Sequence, residues 1–118
     1  MKRGFYWLLI AVVLLLPFSG CQPQAKEEPG EKLSAAALRG KTIYVNRCQG
    51  CHAVKGQGGK KGPDLTHIAT EVEKEQEPGW LDKFLQNPQA FPEGRKMPRV
   101  PLTNTERQDL IKYLKYLK

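Results

Sequence analysis

The sequence lacks three patterns that would each assign it to a broad class. It has no apolar run of the ~20 residues that a membrane-spanning helix needs, since the apolar stretch at residues 5–18 is shorter. It has no long block of like charges and no interleaving of basic with aromatic residues, so a formal net charge of +7 does not indicate a nucleic-acid partner. It has no alternation of apolar and polar residues at period two, the pattern of a half-buried strand. These absences favour an all-α protein that binds no nucleic acid.

The N-terminus has the features of an export signal. Met1-Lys2-Arg3 is a small positive segment, and the apolar run after it has the length of a signal-peptide core, ~7–15 residues. The string Phe18-Ser19-Gly20-Cys21 resembles the lipobox of bacterial lipoprotein precursors, in which cleavage precedes the cysteine that takes the lipid. We therefore expect residues 1–20 to be a lipoprotein-type signal peptide. Cys21 would then anchor the protein by lipid to the extracytoplasmic face of a cell membrane, on the periplasmic side or the cell exterior. An uncleaved, slightly short membrane anchor is the alternative.

The rest of the chain has the length of one small domain behind a linker. Residues 22–33 contain two prolines, a glycine and many charges, a composition that cannot bury apolar surface. We expect residues 21–33 to comprise the lipidated cysteine and a flexible linker, and residues 34–118 to form one monomeric domain. Short helices and loops rich in glycine and proline bury little apolar area. A domain of this size therefore needs a staple, such as a large apolar cofactor at its centre.

Four helical segments are predicted in this domain. Ser34 is a candidate N-cap for the first, at residues 35 to about 53, and Thr103 with Glu106 forms a capping-box pattern for the last. The last helix has an apolar stripe formed by Leu110, Ile111, Leu114 and Leu117. Two shorter helices are predicted at residues 65 to about 72 and about 80 to 86. The segments 55–63 and 87–101 are rich in glycine or proline and are predicted to be loops.

One string indicates a covalently bound cofactor: Cys48-Gln49-Gly50-Cys51-His52. C-x-x-C-H is the signature of c-type haem attachment, in which the two thiols, placed on one helical turn, add to the haem vinyl groups. The next residue, His52, is then brought under the iron as the proximal ligand. Because thioether bonds are not readily exchanged, an exported protein cannot lose such a haem. The sequence therefore predicts one covalently bound haem c.

Other interpretations of the two cysteines fit less well. A thioredoxin-like C-x-x-C requires a βαβ context, which this sequence does not offer. A zinc site requires a second pair of ligands, and of the two histidines only His67 remains after His52 is used. A structural disulfide between Cys48 and Cys51 is conceivable but leaves His52 without a role.

The sixth iron ligand is predicted to be Met97. It is the only methionine after the N-terminal segment and lies in a charged loop next to Pro98. A thioether sulfur is a soft ligand that favours ferrous iron and raises the reduction potential. A lone methionine more often fills a gap in a core, but the charged, proline-rich surroundings argue against that here. His67 is the rival ligand, and an iron with an open sixth position is the third alternative.

With these motifs the sequence resembles a class I cytochrome c, especially the cytochrome c domain fused to subunit II of some bacterial haem–copper oxidases. The resemblance covers nearly all of residues 36–118, apart from an unusually acidic stretch at 70–77 that does not align. It rests on Gly40, Tyr44 and Cys48 at steps of four, and on the strings Gly62-Pro63-Asp64-Leu65-Thr66-His67, Trp80-Leu81, Asn87-Pro88-Gln89, Lys96-Met97-Pro98 and Leu110-Ile111-Lys112-Tyr113-Leu114.

This resemblance implies a fold and a set of residue roles. The fold is the small class I cytochrome c fold, with about four helices around a single covalent haem and the N- and C-terminal helices crossing. The carbonyl of Pro63 accepts a hydrogen bond from His52, and Met97 is the axial ligand. Gly40 lets the first helix approach Tyr113 on the last.

An iron whose axial positions are both filled has no position for a substrate, so we expect an electron carrier and not an enzyme. Basic residues in the two loops predicted to flank the haem are candidates for docking an acidic patch on a respiratory oxidase or reductase: Lys55, Lys60, Lys61, Arg95, Lys96 and Arg99. Two alternatives remain. One is a haem-based ligand sensor or enzyme with a labile Met97, and the other is a fixed subunit of a respiratory complex.

Overall fold

The structure, a computed structural model, describes residues 32–117. The predicted signal peptide at residues 1–20, the lipidation site Cys21 and most of the predicted linker lie outside the described residues. Within residues 32–117, no helix has both the length and the apolar character needed to cross a membrane.

Four α-helices account for nearly half of the described chain and are its main regular elements, in agreement with the predicted all-α class. The helices are α1 (Ala35–Arg47), α2 (Ile68–Glu75), α3 (Trp80–Gln86) and α4 (Asn104–Tyr116). Two short 3-10 turns, Pro88–Ala90 and Pro92–Gly94, lie between α3 and α4. A small antiparallel pair that was not predicted lies where the first predicted helix gives way to the loop at 55–63. It is formed by β1 (Ala53–Val54) and β2 (Gln57–Gly58), in which Ala53 is opposite Gly58.

Helix α1 begins as predicted but ends earlier. The hydroxyl of Ser34 accepts a hydrogen bond from the backbone N–H of Ala37 at 3.2 Å, the N-cap contact that the sequence indicates. At the other end, the Tyr44 carbonyl accepts from the N–H groups of both Cys48 and Gln49, each at 2.9 Å. The chain therefore leaves the helix at Cys48, and the C-x-x-C-H string occupies the following turn. The prediction of a helix to about residue 53 was wrong in this respect.

Helix α2 begins three residues later than predicted, because side-chain and distant backbone groups take the hydrogen bonds of the preceding segment. The N–H of Leu65 donates to the carbonyl of Ala53 at 2.8 Å, and the N–H of Thr66 donates to the Asp64 carboxylate at 2.8 Å. An Asp side chain that bonds the backbone two residues on forms a turn instead of a helix. The predicted bounds of α3 agree with the structure.

The crossing of α1 and α4 organises the fold. The capping box predicted for α4 is present, with reciprocal hydrogen bonds between Thr103 and Glu106. A Cβ placed on Gly40 would lie 2.6 Å from the carbonyl carbon of Asp109 and 2.8 Å from Cβ of Tyr113, so the crossing is possible only without a side chain there. The core beneath the crossing is formed by Tyr44, Ala69, Leu110, Tyr113, Leu114 and Leu117.

Candidate haem site

A cavity of about 670 Å³ lies beside this core and contains most of the predicted site residues. Its volume is within the ~300–1,000 Å³ range of small-molecule and cofactor sites. Its walls come from the turn after α1, the loop before α2, helices α2 and α3, and the loop before α4. Four of the predicted residues line it together: Cys51, His52, Pro63 and Met97.

The His52 ring is oriented by a backbone carbonyl. Its Nδ1 lies 2.9 Å from the carbonyl oxygen of Pro63. Because a carbonyl oxygen can only accept, Nδ1 must carry the proton, and the Nε2 lone pair is left free for a metal. A hydrogen bond of this kind fixes the tautomer and raises the basicity of a histidine ligand.

Two further residues hold His52 in place. The Tyr44 hydroxyl donates to the carbonyl oxygen of His52 at 2.9 Å, which links the turn to α1. A Cβ on Gly62 would lie 2.7 Å from Nδ1 of the His52 ring. Any other residue at this position would therefore push the ring away from where it lies. The sequence identifies Gly62 only as part of a family-like string, and its contact with the ring follows from the tertiary structure.

The two predicted attachment cysteines are not equivalent. Only Cys51 lines the cavity, while Cys48 is half-buried and packs against the hydrophobic core. Burial raises the pKa of the Cys48 thiol to about 11. Before haem attachment, the Cys48 thiol is therefore protonated at neutral pH.

The structure brings Met97 to the cavity, and it does not bring His67 there. Met97 is half-buried, and its N–H donates to the carbonyl of Gly94 at 2.9 Å, which shapes the loop around it. Gly94 is itself buried, and a Cβ there would lie 2.8 Å from the Phe84 ring. His67 is exposed and precedes α2 without lining the cavity.

An aromatic cluster forms one wall. The rings of Trp80 and Phe84 stack with centroids 4.9 Å apart, and Phe91 contacts Trp80 edge-on at 5.2 Å. Trp80 and Phe84 line the cavity. Sequence reasoning did not assign Phe84 or Phe91 to the site, although an aromatic pair four residues apart on one short helix was a usable signal.

The charges around the cavity have both signs. Of the basic residues considered for docking, Lys61 and Lys96 line it, whereas the other four are exposed elsewhere: Lys55, Lys60, Arg95 and Arg99. Three carboxylates also line it, and sequence reasoning missed all of them: Glu71, Glu75 and Glu93. Glu71 and Glu75 could have been found from the sequence. They follow Ile68 and Val72 by three residues each, so a helix would place all four on one face.

These residues fit a haem c. The cavity offers a free imidazole nitrogen, a thioether sulfur, aromatic walls and the thiol of Cys51, and Cys48 is three residues before Cys51 in the chain. Imidazole and thioether ligands suit haem iron. Apolar walls with a few oriented polar groups are typical of cofactor sites.

Comparisons with known proteins point the same way. The family model described as Cytochrome c matches residues 37–118. Cytochrome c of Arabidopsis thaliana is 30% identical over 100 residues, covering 70% of this chain and 89% of the relative. A subunit of nitric oxide reductase from Stutzerimonas stutzeri is 28% identical over 126 residues, covering 98% of this chain and 84% of the relative.

A further relative is longer than this chain. Cytochrome c oxidase subunit 2 of Alkalihalophilus pseudofirmus is 36% identical over 100 residues, which are 78% of this chain. The aligned region spans only 28% of that relative's length.

Proposed function

This chain belongs to the cytochrome c family and carries covalently bound haem c, and we propose that it is a membrane-tethered carrier of single electrons between respiratory redox partners. The observation that carries the proposal is that His52 and Met97 line one cavity, with Nε2 of His52 free to bind a metal. When bound there, haem supplies a one-electron couple.

Each site residue has a defined role in this proposal. Cys48 and Cys51 would hold the haem through thioether bonds, and His52 and Met97 would bind its iron. The Pro63 carbonyl holds the proton on Nδ1 of His52. With both axial positions filled by protein, no substrate reaches the iron, which favours electron transfer over catalysis. Methionine ligation raises the reduction potential.

The aromatic wall supports the same role. Trp80 and Phe84 place stacked rings along the cavity, and Phe91 packs behind them. Apolar walls limit the access of water and lower the local dielectric, which are two of the means by which a protein tunes a haem potential.

Docking is proposed to involve the basic part of the cavity rim. Lys61 and Lys96 are exposed residues on two different loops, and both reach the cavity. An acidic patch on an oxidase or reductase would be steered toward them. The carboxylates of Glu71 and Glu75, on α2, would disfavour an acidic partner on their side and so restrict its orientation.

Tethering rests on the sequence. We propose that residues 1–20 are removed as a signal peptide, that Cys21 carries lipid, and that residues 21–33 connect it to the domain at 34–118. A linker of this composition extends roughly 20 Å as a loose coil. This length is enough for a small domain to reorient at an extracytoplasmic membrane surface.

A fixed place in a respiratory complex is the second candidate. Two relatives are named as subunits, one of cytochrome c oxidase and one of nitric oxide reductase. Co-purification with a larger haem protein after extraction in mild detergent would favour this candidate over a shuttle.

The ligand assignment is tested by absorption spectra of the holoprotein made in a host with c-type maturation machinery. We expect a sharp low-spin reduced α-band and a weak far-red ferric band from iron–methionine charge transfer. Met97→Ala should abolish the far-red band and allow carbon monoxide to bind the reduced protein, whereas the matched control His67→Ala should change neither. Rapid carbon monoxide binding by the wild type would contradict the closed site.

Docking is tested by charge reversal at equal net charge. The double variant Lys61→Glu with Lys96→Glu should slow electron transfer to an acidic redox partner and weaken its dependence on salt. Lys41→Glu with Lys112→Glu makes the same change on exposed positions of α1 and α4 and should have a much smaller effect. Equal slowing by both pairs would show that net charge acts and that no specific face is used.

A further inference from the structure

Arg107 is one of two charged side chains that are buried in the described domain; the other is Asp109. Its guanidinium Nε lies 3.0 Å from the Asp82 carboxylate, and its Nη1 donates to the carbonyl of Leu102 at 3.1 Å. Its Nη2 donates to the side chain of Asn104. A buried guanidinium is stable only when its donors are matched in this way.

Two of these partners lie on either side of the loop that carries Met97. Asp82 belongs to α3, the helix before the loop, and Leu102 is near the loop's last residue, just before α4. The middle of the loop depends on the same helix, because the buried Gly94 packs against Phe84 on α3. One guanidinium therefore ties two things to the α4 helix: helix α3, which precedes the segment, and the C-terminal end of the segment itself.

We propose that Arg107 is a positioning residue for Met97: by joining Asp82 to the Leu102 carbonyl, it closes the ligand loop and holds the methionine sulfur toward the cavity. The inference rests on the proposed role of Met97 as an iron ligand. It goes beyond that role because Arg107 does not line the cavity and acts only through the loop.

The expected consequence is local. Without the guanidinium, the Asp82 carboxylate keeps only the side-chain amides of Gln86 and Gln108, and the Leu102 carbonyl loses its side-chain donor. Hydrogen bonds to charged groups are among the stronger ones in proteins. A loosened loop should therefore release Met97 more often, by about tenfold or more.

The fold offers a matched control. Arg39 forms a comparable ion pair with Asp109, with Nε 2.7 Å from the carboxylate, but it joins α1 to α4 and touches no part of the ligand loop. Replacing Arg39 should reduce the stability of the domain and leave the loop closed.

The experiment measures imidazole binding to the ferric holoprotein at saturating imidazole, where dissociation of Met97 limits the rate. We expect Arg107→Gln to accelerate binding about tenfold or more and to weaken the far-red band, while Arg39→Gln binds imidazole at the wild-type rate. Arg107→Lys keeps the positive charge but loses the planar guanidinium that bonds several partners at once. It should bind imidazole at a rate between those of the wild type and Arg107→Gln. This milder variant supplies the test if Arg107→Gln does not mature.

The outcomes separate the two proposals. A wild type with the far-red band, together with equal rates for the Arg107 and Arg39 variants, would overturn the positioning role and leave Met97 as the ligand. A wild type without the far-red band would overturn the ligand assignment and this inference with it.

Discussion

The position of His52 depends on three neighbours, each of which acts in a different way. The carbonyl of Pro63 accepts from Nδ1, the Tyr44 hydroxyl holds the carbonyl of His52, and Gly62 leaves the space that a side chain would fill. At the scale of the residue, the C-x-x-C-H string predicts which histidine binds the iron, and these neighbours determine which of its nitrogens faces the cavity without a proton.

Gly62→Ala should displace the imidazole, since the new Cβ would lie 2.7 Å from Nδ1, well inside van der Waals contact. We expect a weaker iron–histidine bond, visible as a high-spin fraction in the ferric absorption spectrum. Gly50→Ala makes the same chemical change inside the haem-attachment string, where no atom lies within 4 Å of the added Cβ. It should keep the wild-type spectrum, and an unchanged spectrum in Gly62→Ala would contradict the role of Gly62.

At the scale of the element, the crossing of α1 and α4 supports the site. Tyr44 on α1 contacts Tyr113 on α4 with ring centroids 5.7 Å apart, and the same Tyr44 hydroxyl reaches the His52 carbonyl. The Arg39–Asp109 ion pair lies at the same crossing. Packing of the two helices is therefore coupled to the position of the proximal ligand.

Gly40→Ala should separate these helices. The added methyl would lie 2.6 Å from the carbonyl carbon of Asp109, and backbone cannot move as easily as a flexible side chain. We expect a loss of roughly 1–3 kcal/mol or more in the free energy of unfolding, measured with denaturant. Lys41→Ala, at the exposed neighbouring position, should stay within about 0.5 kcal/mol of wild type.

The same crossing should make the fold sensitive to acid. The hydrogen bond from Arg39 holds the pKa of Asp109 below its ordinary value of 3.8, so the ionised carboxylate stabilises the folded state. This contribution is complete above about pH 4 and is lost as the pH falls through the lowered pKa. Asp109→Asn should therefore be less stable than wild type at neutral pH.

The check is a series of melting temperatures from neutral to strongly acidic pH. The difference between wild type and Asp109→Asn should shrink below about pH 4. Glu77→Gln, which neutralises an exposed carboxylate on another part of the surface, should follow the wild-type curve. A constant difference across the series would contradict the account of Asp109.

At the scale of the whole molecule, the described domain has a small core beside a large cavity. The buried cluster is confined to the region of α1, α2 and α4, and the cavity of about 670 Å³ is bounded by α2, α3 and the loops that carry His52 and Met97. Small domains with limited cores depend on disulfides, metals or cofactors for stability. A haem held in this cavity would complete the core in addition to its proposed role in electron transfer.

Protein produced without haem attachment should accordingly lack a cooperative thermal transition. Cys48→Ser with Cys51→Ser removes both thioether bonds, and we expect it to lose near-ultraviolet circular dichroism when the haem is extracted. Re-adding haem should restore part of the signal by ligand binding. A sharp transition in the haem-free protein near the holoprotein's melting temperature would contradict this view.

Features governed by neighbours along the chain were predictable from the sequence. The haem-attachment string, the Ser34 cap, the Thr103–Glu106 capping box and the bounds of α3 all depend on hydrogen bonds or chemistry within a few residues. The motif spacing also indicated the family, which the comparisons confirm.

Features governed by contacts between distant segments required the tertiary structure. Helix α2 starts late because Leu65 bonds to Ala53, and Arg107 is buried because Asp82 and Leu102 meet it in space. The folded loops also place Met97 at the cavity and leave His67 outside its lining, whereas the assignment of Met97 as iron ligand stays a prediction. The sequence determines which chemical groups are available and where local hydrogen bonds start and stop a helix. Only the folded chain determines which of those groups meet, because burial and charge pairing depend on segments that are far apart in sequence.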